Sequence, residues 1–186
     1  MNRKDYVKHY DEHYQRMGET GAGQLVWEPQ YQIWLKAGYK PSMSVLDYGC
    51  GVGVMLEAGI KDYLGVDISS EAIRLAKKRY PGHDFRVLEM GDLMVVPRDM
   101  AVAQSVFTHI PKAYVSECLQ DVKRNFTEFA LIDILLGEDD VNDLHVRRFS
   151  EGEWLDCLWK NDLAGERIGE HDFVGYNHIY YKVTHD

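Results

Sequence analysis

The segment Val45-Leu46-Asp47-Tyr48-Gly49-Cys50-Gly51-Val52-Gly53 constrains this chain more than any other. An apolar run ends in three alternating glycines, and glycine tolerates the left-handed or crowded backbone that other residues avoid. Such a turn suits the carboxyl end of a buried strand, where the chain bends toward a helix and leaves N–H groups for a ligand. It suits equally a plain strand-to-helix connection that binds nothing. The turn therefore dictates a local architecture before it dictates a chemistry.

The surrounding sequence extends that architecture. Met43–Tyr48, Tyr63–Ile68, Asp84–Leu88, Met100–Phe107 and Phe129–Leu136 are short apolar runs, as expected of strands buried on both faces. Helical signals alternate with them. Ser69-Ser70 can cap a helix with Ile73, Ala76 and Tyr80 on one side, and Pro111 opens a stripe of Val115, Cys118, Leu119, Val122 and Phe126. Ser150 and Glu153 form a capping box, with Phe149 and Trp154 placed as its hydrophobic staple. Arg167–Val174 and Tyr176–Val183, separated by Gly175, read as an antiparallel pair. Ahead of the alternation, residues 5–17 place Tyr6, Tyr10, Tyr14 and Met17 on one helical face, and Pro29–Ala37 reads as a second helix ended by Gly38. The expectation is one α/β domain over residues 1–186, a helical preface within 1–40 and a mostly parallel sheet with helices on both faces over 43–183.

Composition narrows the function. With 45% hydrophobic and 27% charged residues in 186, the chain fits a single soluble globular domain. Its 21 Lys and Arg against 30 Asp and Glu give a net charge of −9, which disfavours nucleic acid as a partner. The charged N-terminus lacks the apolar stretch of a secretion signal, and no window is apolar enough to span a membrane. Cys50, Cys118 and Cys157 are widely spaced without a CxxC pair, against a disulfide framework or a thiolate zinc site, so the cytoplasm is the expected location. His9 and His13 have the spacing of a helical metal pair beside Asp5 and Glu12, but no third ligand completes a pattern, and no metal is expected.

Gly65-Val66-Asp67-Ile68-Ser69 turns the glycine turn into a ligand site. Asp67 lies 67 − 49 = 18 residues after the first glycine, at the end of the second apolar run, where a carboxylate can accept both ribose hydroxyls of an adenosine. A nicotinamide dinucleotide and S-adenosylmethionine both satisfy that pair of features. The dinucleotide fingerprint GxGxxG would put its third glycine at Val54, whereas Gly53 gives GxGxG. Asp47, two residues before Gly49, can meet an ammonium group, which a pyrophosphate cofactor lacks.

With these motifs, VLDYGCGVG and GVDIS, the chain resembles the S-adenosylmethionine-dependent methyltransferases of the seven-stranded, Rossmann-like class over residues 43–183. The resemblance implies a three-layer sandwich with strand order 3-2-1-4-5-7-6 and the last strand antiparallel. It implies that Asp47, Gly49 and Gly51 surround the methionine part of the cofactor, that Asp67 holds the ribose, and that Cys50 and Ile68 belong to the cofactor-binding set. Met90-Gly91-Asp92-Leu93 resembles the adenine clamp, with Asp92 facing the exocyclic amine and the Leu93 backbone facing the ring. Gln104 and Ser105 would lie beside the methionine moiety, and His109 at the acceptor mouth as general base for a hydroxyl acceptor, with His145 in the variable loop as a second candidate. The sequence departs from the family pattern in the very short helix Val54–Ala58 and in the plain Ala101–Ala103.

The preface resembles the N-terminal lid of small-molecule members, so Tyr6, Tyr10, Tyr14 and Trp27 would enclose the cofactor or acceptor, with Tyr14 and Arg16 nearest the cofactor. Cys50, beside the expected helix start, is either a stabilised thiolate or a small pocket-lining residue. Glu138-Asp139-Asp140 with Asp143 reads as a solvated loop, followed by Arg147-Arg148 as an anion grip. With room for the core and a short lid and no inserted recognition domain, the expected reaction is O- or N-methylation of a small molecule. An NAD(P)-dependent oxidoreductase and a non-catalytic S-adenosylmethionine-binding member are the alternatives.

Overall fold

A computed structural model describes residues 2–18, 27–91, 95–138, 146–173 and 175–186. Strand β1 (Val45–Tyr48) is buried along its whole length and pairs in parallel with β2 (Tyr63–Asp67) on one side and β4 (Arg98–Ala103) on the other. With β3 (Asp84–Val87), β5 (Phe126–Leu136), β6 (Arg148–Phe149), β7 (Leu163–Phe173) and β8 (Tyr176–His185), it builds a sheet of order β3-β2-β1-β4-β5-β8-β7. Apart from the two-residue β6, which pairs in parallel with the end of β5, this is the order the resemblance implies, with the last strand antiparallel to β5.

Two apolar layers follow from the strand alternation. Leu46, Tyr48, Leu64 and Ala101 face a core shared with α4 (Val115–Arg124) and α5 (Glu151–Trp159), through Cys118, Leu119, Val122, Trp154 and Leu158. Val45, Met100 and Val102 face the opposite core, shared with α2 (Trp27–Ala37) and α3 (Ser70–Arg79) through Ile33, Trp34, Ala37, Ile73 and Ala76. Each fully buried Val or Leu of such stripes contributes roughly 1.5–3 kcal/mol. Ser69 caps α3 by accepting the Ala72 N–H, and Ser150 with Glu153 closes the capping box of α5, where the Phe149 and Trp154 rings meet edge-on at 5.4 Å. No helix among the described residues is long and apolar enough to cross a membrane.

Several boundaries move, each for a local reason. Phe126 opens β5 instead of ending the stripe of α4, because Asn125 stops the helix and its side chain bonds the Asp121 carbonyl at 2.7 Å. Pro111 caps a 3₁₀ turn, Lys112–Tyr114, and α4 itself begins at Val115. β4 ends at Ala103 instead of Phe107, because Ser105 turns to a φ of 54°. β7 begins at Leu163, four residues before the expected start, with an irregularity between Arg167 and Gly169. Val54–Ala58 is a single 3₁₀ turn between left-handed Gly53 and Gly59, so no α-helix follows the glycine turn.

The preface divides. α1 (Arg3–Met17) lies along the carboxyl edge of the sheet, whereas α2 buries Ile33, Trp34 and Ala37 in a main core and belongs to the helical layer. α1 is tied at its first residue and just past its middle. Arg3 pairs with Glu117 and reaches the Met90 carbonyl, and Asp11 accepts the Ser69 hydroxyl at 2.7 Å and the Glu71 N–H at 3.2 Å.

Candidate active site

The carboxyl ends of β1, β2, β3 and β4 open onto one cavity of about 270 Å³, close to the lower end of the range for small-ligand pockets, about 300–1,000 Å³. Its floor is the glycine turn. Gly49 has a φ of 79°, and a Cβ there would lie 2.5 Å from Val106 Cγ2, so the residue is glycine for both backbone and space. The N–H groups of Gly49 and Cys50 both donate to the Val66 carbonyl, and that of Gly51 donates to Asp67 Oδ2 at 2.9 Å. The turn thus spends these donors on β2, and the helix N-terminus expected beyond it is replaced by the 3₁₀ turn.

Two carboxylates are buried in the cavity wall. Asp67 accepts backbone N–H groups on each oxygen, from Gly51 and from Ser69 at 2.8 Å, yet burial still pushes its carboxyl up to about 6. Asp47, 2% exposed, accepts the Tyr63 hydroxyl at 2.6 Å; burial pushes it up to about 7, against that hydrogen bond and with help from Asp67. Neither acid has a cation beside it among the described residues. Burial, followed by Asp47 and Asp67, raises the Cys50 thiol well above its ordinary value, so Cys50 is a neutral thiol lining the cavity and the thiolate alternative falls. Tyr63, whose hydroxyl orients Asp47, was not singled out from the sequence; its place at the head of the second apolar run hid a polar role.

The segment after β4 forms another wall. Gln104 lines the cavity, and both polar atoms of its buried amide lack a partner among the described residues. Ser105, Val106 and His109 follow along the same wall, with the His109 ring 6.5 Å from that of Tyr10. Ile68, Leu88, Met90, Met55 and Ile110 add apolar lining. Asp121, fully buried and also missed from sequence, sets the turn before residue 92 by accepting the Gly91 N–H at 2.7 Å and the Tyr48 hydroxyl at 3.2 Å.

Tyr6, Tyr10 and Tyr14 project from α1 over the cavity. Burial pushes the Tyr10 phenol up to about 12. Arg16 does not line the cavity: two residues past Tyr14, it is turned about 200° around the helix and is exposed. Asp92, Leu93 and His145 lie outside the described residues, as does the side chain of Trp27. Among the described residues no group of three or more His, Cys, Asp or Glu is placed to hold a metal ion.

The donor set fits one kind of ligand. Two buried acids without a counter-ion, an amide offering both a donor and an acceptor, and aromatic rings favour a cationic nucleoside bearing an amino acid. They disfavour a pyrophosphate, which would add negative charge beside Asp47 and Asp67.

Comparison with known proteins points the same way. The family described as Methyltransferase domain matches residues 45–128. The Ribosomal protein L11 methyltransferase of Burkholderia cenocepacia is 39% identical over 49 residues, 24% of this chain. That alignment spans only 16% of the curated relative's length. Among solved structures, the magnesium protoporphyrin IX methyltransferase of Synechocystis PCC 6803 with bound SAH superposes with a TM-score of 0.74 at 16% identity, covering 100% of both chains. A TehB-like SAM-dependent methyltransferase of Corynebacterium glutamicum gives 0.68 at 17% identity, covering 99% of this chain and 100% of its own.

Proposed function

We propose that the chain is an S-adenosylmethionine-dependent, Rossmann-like methyltransferase that methylates a small molecule on oxygen or nitrogen. The observation that carries the reading is the convergence of Asp47, Asp67 and the unpartnered Gln104 amide beneath three tyrosines in one cavity. S-adenosylmethionine supplies, when bound, a methyl carbon on a sulfonium that a nucleophile displaces in line.

The chain's own residues bind, orient and exclude water. Each Asp67 oxygen takes one backbone N–H and keeps lone-pair capacity for a ribose hydroxyl. Asp47 receives the ammonium of the amino-acid end, which returns its carboxyl to the ionised form, and Gln104 pairs with the same end. Ser105 and the Cys50–Gly51 backbone line that end, while Asp92 and Leu93 would close on the adenine. Tyr6, Tyr10 and Tyr14 cover the reacting centre, where aromatic faces favour a cation and keep water out. At the mouth, His109 takes the proton of a hydroxyl acceptor; an amine attacks in its neutral form without help.

A small acceptor accords with a cavity of about 270 Å³ that Tyr6, Tyr10 and Tyr14 of α1 help to line. The solved relative named for magnesium protoporphyrin IX supports that class, and a net charge of −9 argues against nucleic acid. Three cysteines outside any disulfide accord with the cytoplasm. Incubation with a methyl-labelled donor and a metabolite extract should move label into the small-molecule fraction. Label found only in protein, or none transferred, would reject the proposal.

A further inference from the structure

We infer that Asp133 and His178, which do not line the cavity, clamp the segment after β4 and through it position the residues that grip the amino-acid end of the cofactor. The inference rests on the proposed cofactor site and extends it to a buried layer behind the wall. Asp133 Oδ1 accepts the Ser105 N–H at 2.6 Å, and Asp133 Oδ2 lies 2.5 Å from His178 Nδ1. Both side chains are buried, between Ile132 and Ile134 on β5 and next to Ile179 on β8. An acid and an imidazole inside an apolar sheet are costly unless they hold something.

What they hold is a bend that serine does not adopt by preference. Ser105 has a φ of 54°, in the left-handed region that disfavours any residue with a Cβ. The bend has two consequences in the cavity. It presses the Val106 side chain into the space above Gly49, and it leaves the buried Gln104 amide along the wall with neither polar atom satisfied by the described residues. With Asp133 absent, the Ser105 N–H loses its acceptor, the backbone relaxes toward negative φ, and Gln104 and Val106 move together. Asp133 is therefore a positioning residue that acts through Ser105, and His178 orients its carboxylate. Small displacements of such a wall cost up to about a hundredfold in function.

The test separates the two ends of the cofactor. Calorimetry on the full chain compares S-adenosylhomocysteine with adenosine, which lacks the homocysteine end. Asp133→Ala should weaken S-adenosylhomocysteine about tenfold or more and leave adenosine within about twofold. Asp133→Asn, whose amide oxygen still accepts the Ser105 N–H, should stay near the parent on both. Ser105→Gly placed in the Asp133→Ala background should recover part of the loss, because glycine takes the bend unaided. If Asp133→Ala does not fold, His178→Ala carries the same expectation. Equal losses on both ligands, or none on either, would overturn the clamp. A parent that binds neither compound overturns the site reading, and the clamp with it.

Discussion

Asp47→Asn should make the ligand-free protein more stable at neutral pH while damaging its binding site. Burial lifts the Asp47 carboxyl from its ordinary 3.8 to about 7, so the folded state holds a proton that the unfolded chain releases. The stability this acid contributes is complete below about pH 4 and is lost as pH rises through about 7. A shift of about three units corresponds to at most about 4 kcal/mol. Asp67, itself pushed up to about 6, shares that penalty, so the gain from Asn should be about 1–4 kcal/mol. Asparagine carries no charge and keeps a carbonyl for the Tyr63 hydroxyl, which now donates to the acid at 2.6 Å. For a chain of 186 residues this is about 3–12 °C in melting temperature. Thermal melts of both proteins without ligand, in steps from about pH 4.5 to 8.5, should coincide at the acid end and separate toward neutrality. Asp99, held below its ordinary value by the Ser44 N–H and hydroxyl, is common to both proteins and cancels. A variant that melts at or below the parent at pH 7–8 would refute the reasoning.

Asp67→Ala should weaken S-adenosylmethionine about tenfold to a hundredfold by calorimetry, the loss of about 1.5–3 kcal/mol of charge-assisted hydrogen bonding, and unchanged affinity would remove the ribose contact. On a hydroxyl acceptor, His109→Ala should lower the rate by about 10²–10⁴-fold with cofactor affinity nearly intact. Full activity in that variant would leave the imidazole without a catalytic part. Asp11→Ala removes the tie between α1 and the first turn of α3, so amide exchange in α1 and cofactor dissociation should both quicken while the melt falls by no more than about 2 kcal/mol. Unchanged exchange would show that the tyrosines alone hold α1 in place.

The parts of this architecture that repeat were legible in the sequence, and the parts that depend on one long-range partner were not. β1, β2, α3 and the α5 cap follow from short-range patterns: an apolar run into glycines, Ser69 before a helical stripe, Ser150 three residues before Glu153. The ends of β4 and α4 escaped because they hinge on contacts across the sheet. Ser105 leaves the strand while bonded to Asp133, 28 residues away, and Phe126 joins β5 by pairing with Arg98. Asp47 and Asp67 could be singled out because they stand at fixed distances from the glycines. Tyr63 and Asp133 could not, since each sits in an apolar run whose period says only that it is buried, and Asp121 could not, since it stands off the α4 stripe of Val115, Cys118, Leu119 and Val122, where the sequence predicts a solvated position. Arg16 followed from the resemblance to a lid alone, and the helix turns it about 200° away from Tyr14, off the cavity.

The cavity beneath Tyr6, Tyr10 and Tyr14 is expected to hold a cationic, amino-acid-bearing nucleoside. Isothermal titration of the purified chain with S-adenosylmethionine, S-adenosylhomocysteine and NAD tests it most directly. Binding of the first two at micromolar concentration with no heat from NAD is the predicted result, and NAD binding in their place, or none of the three binding, would contradict it.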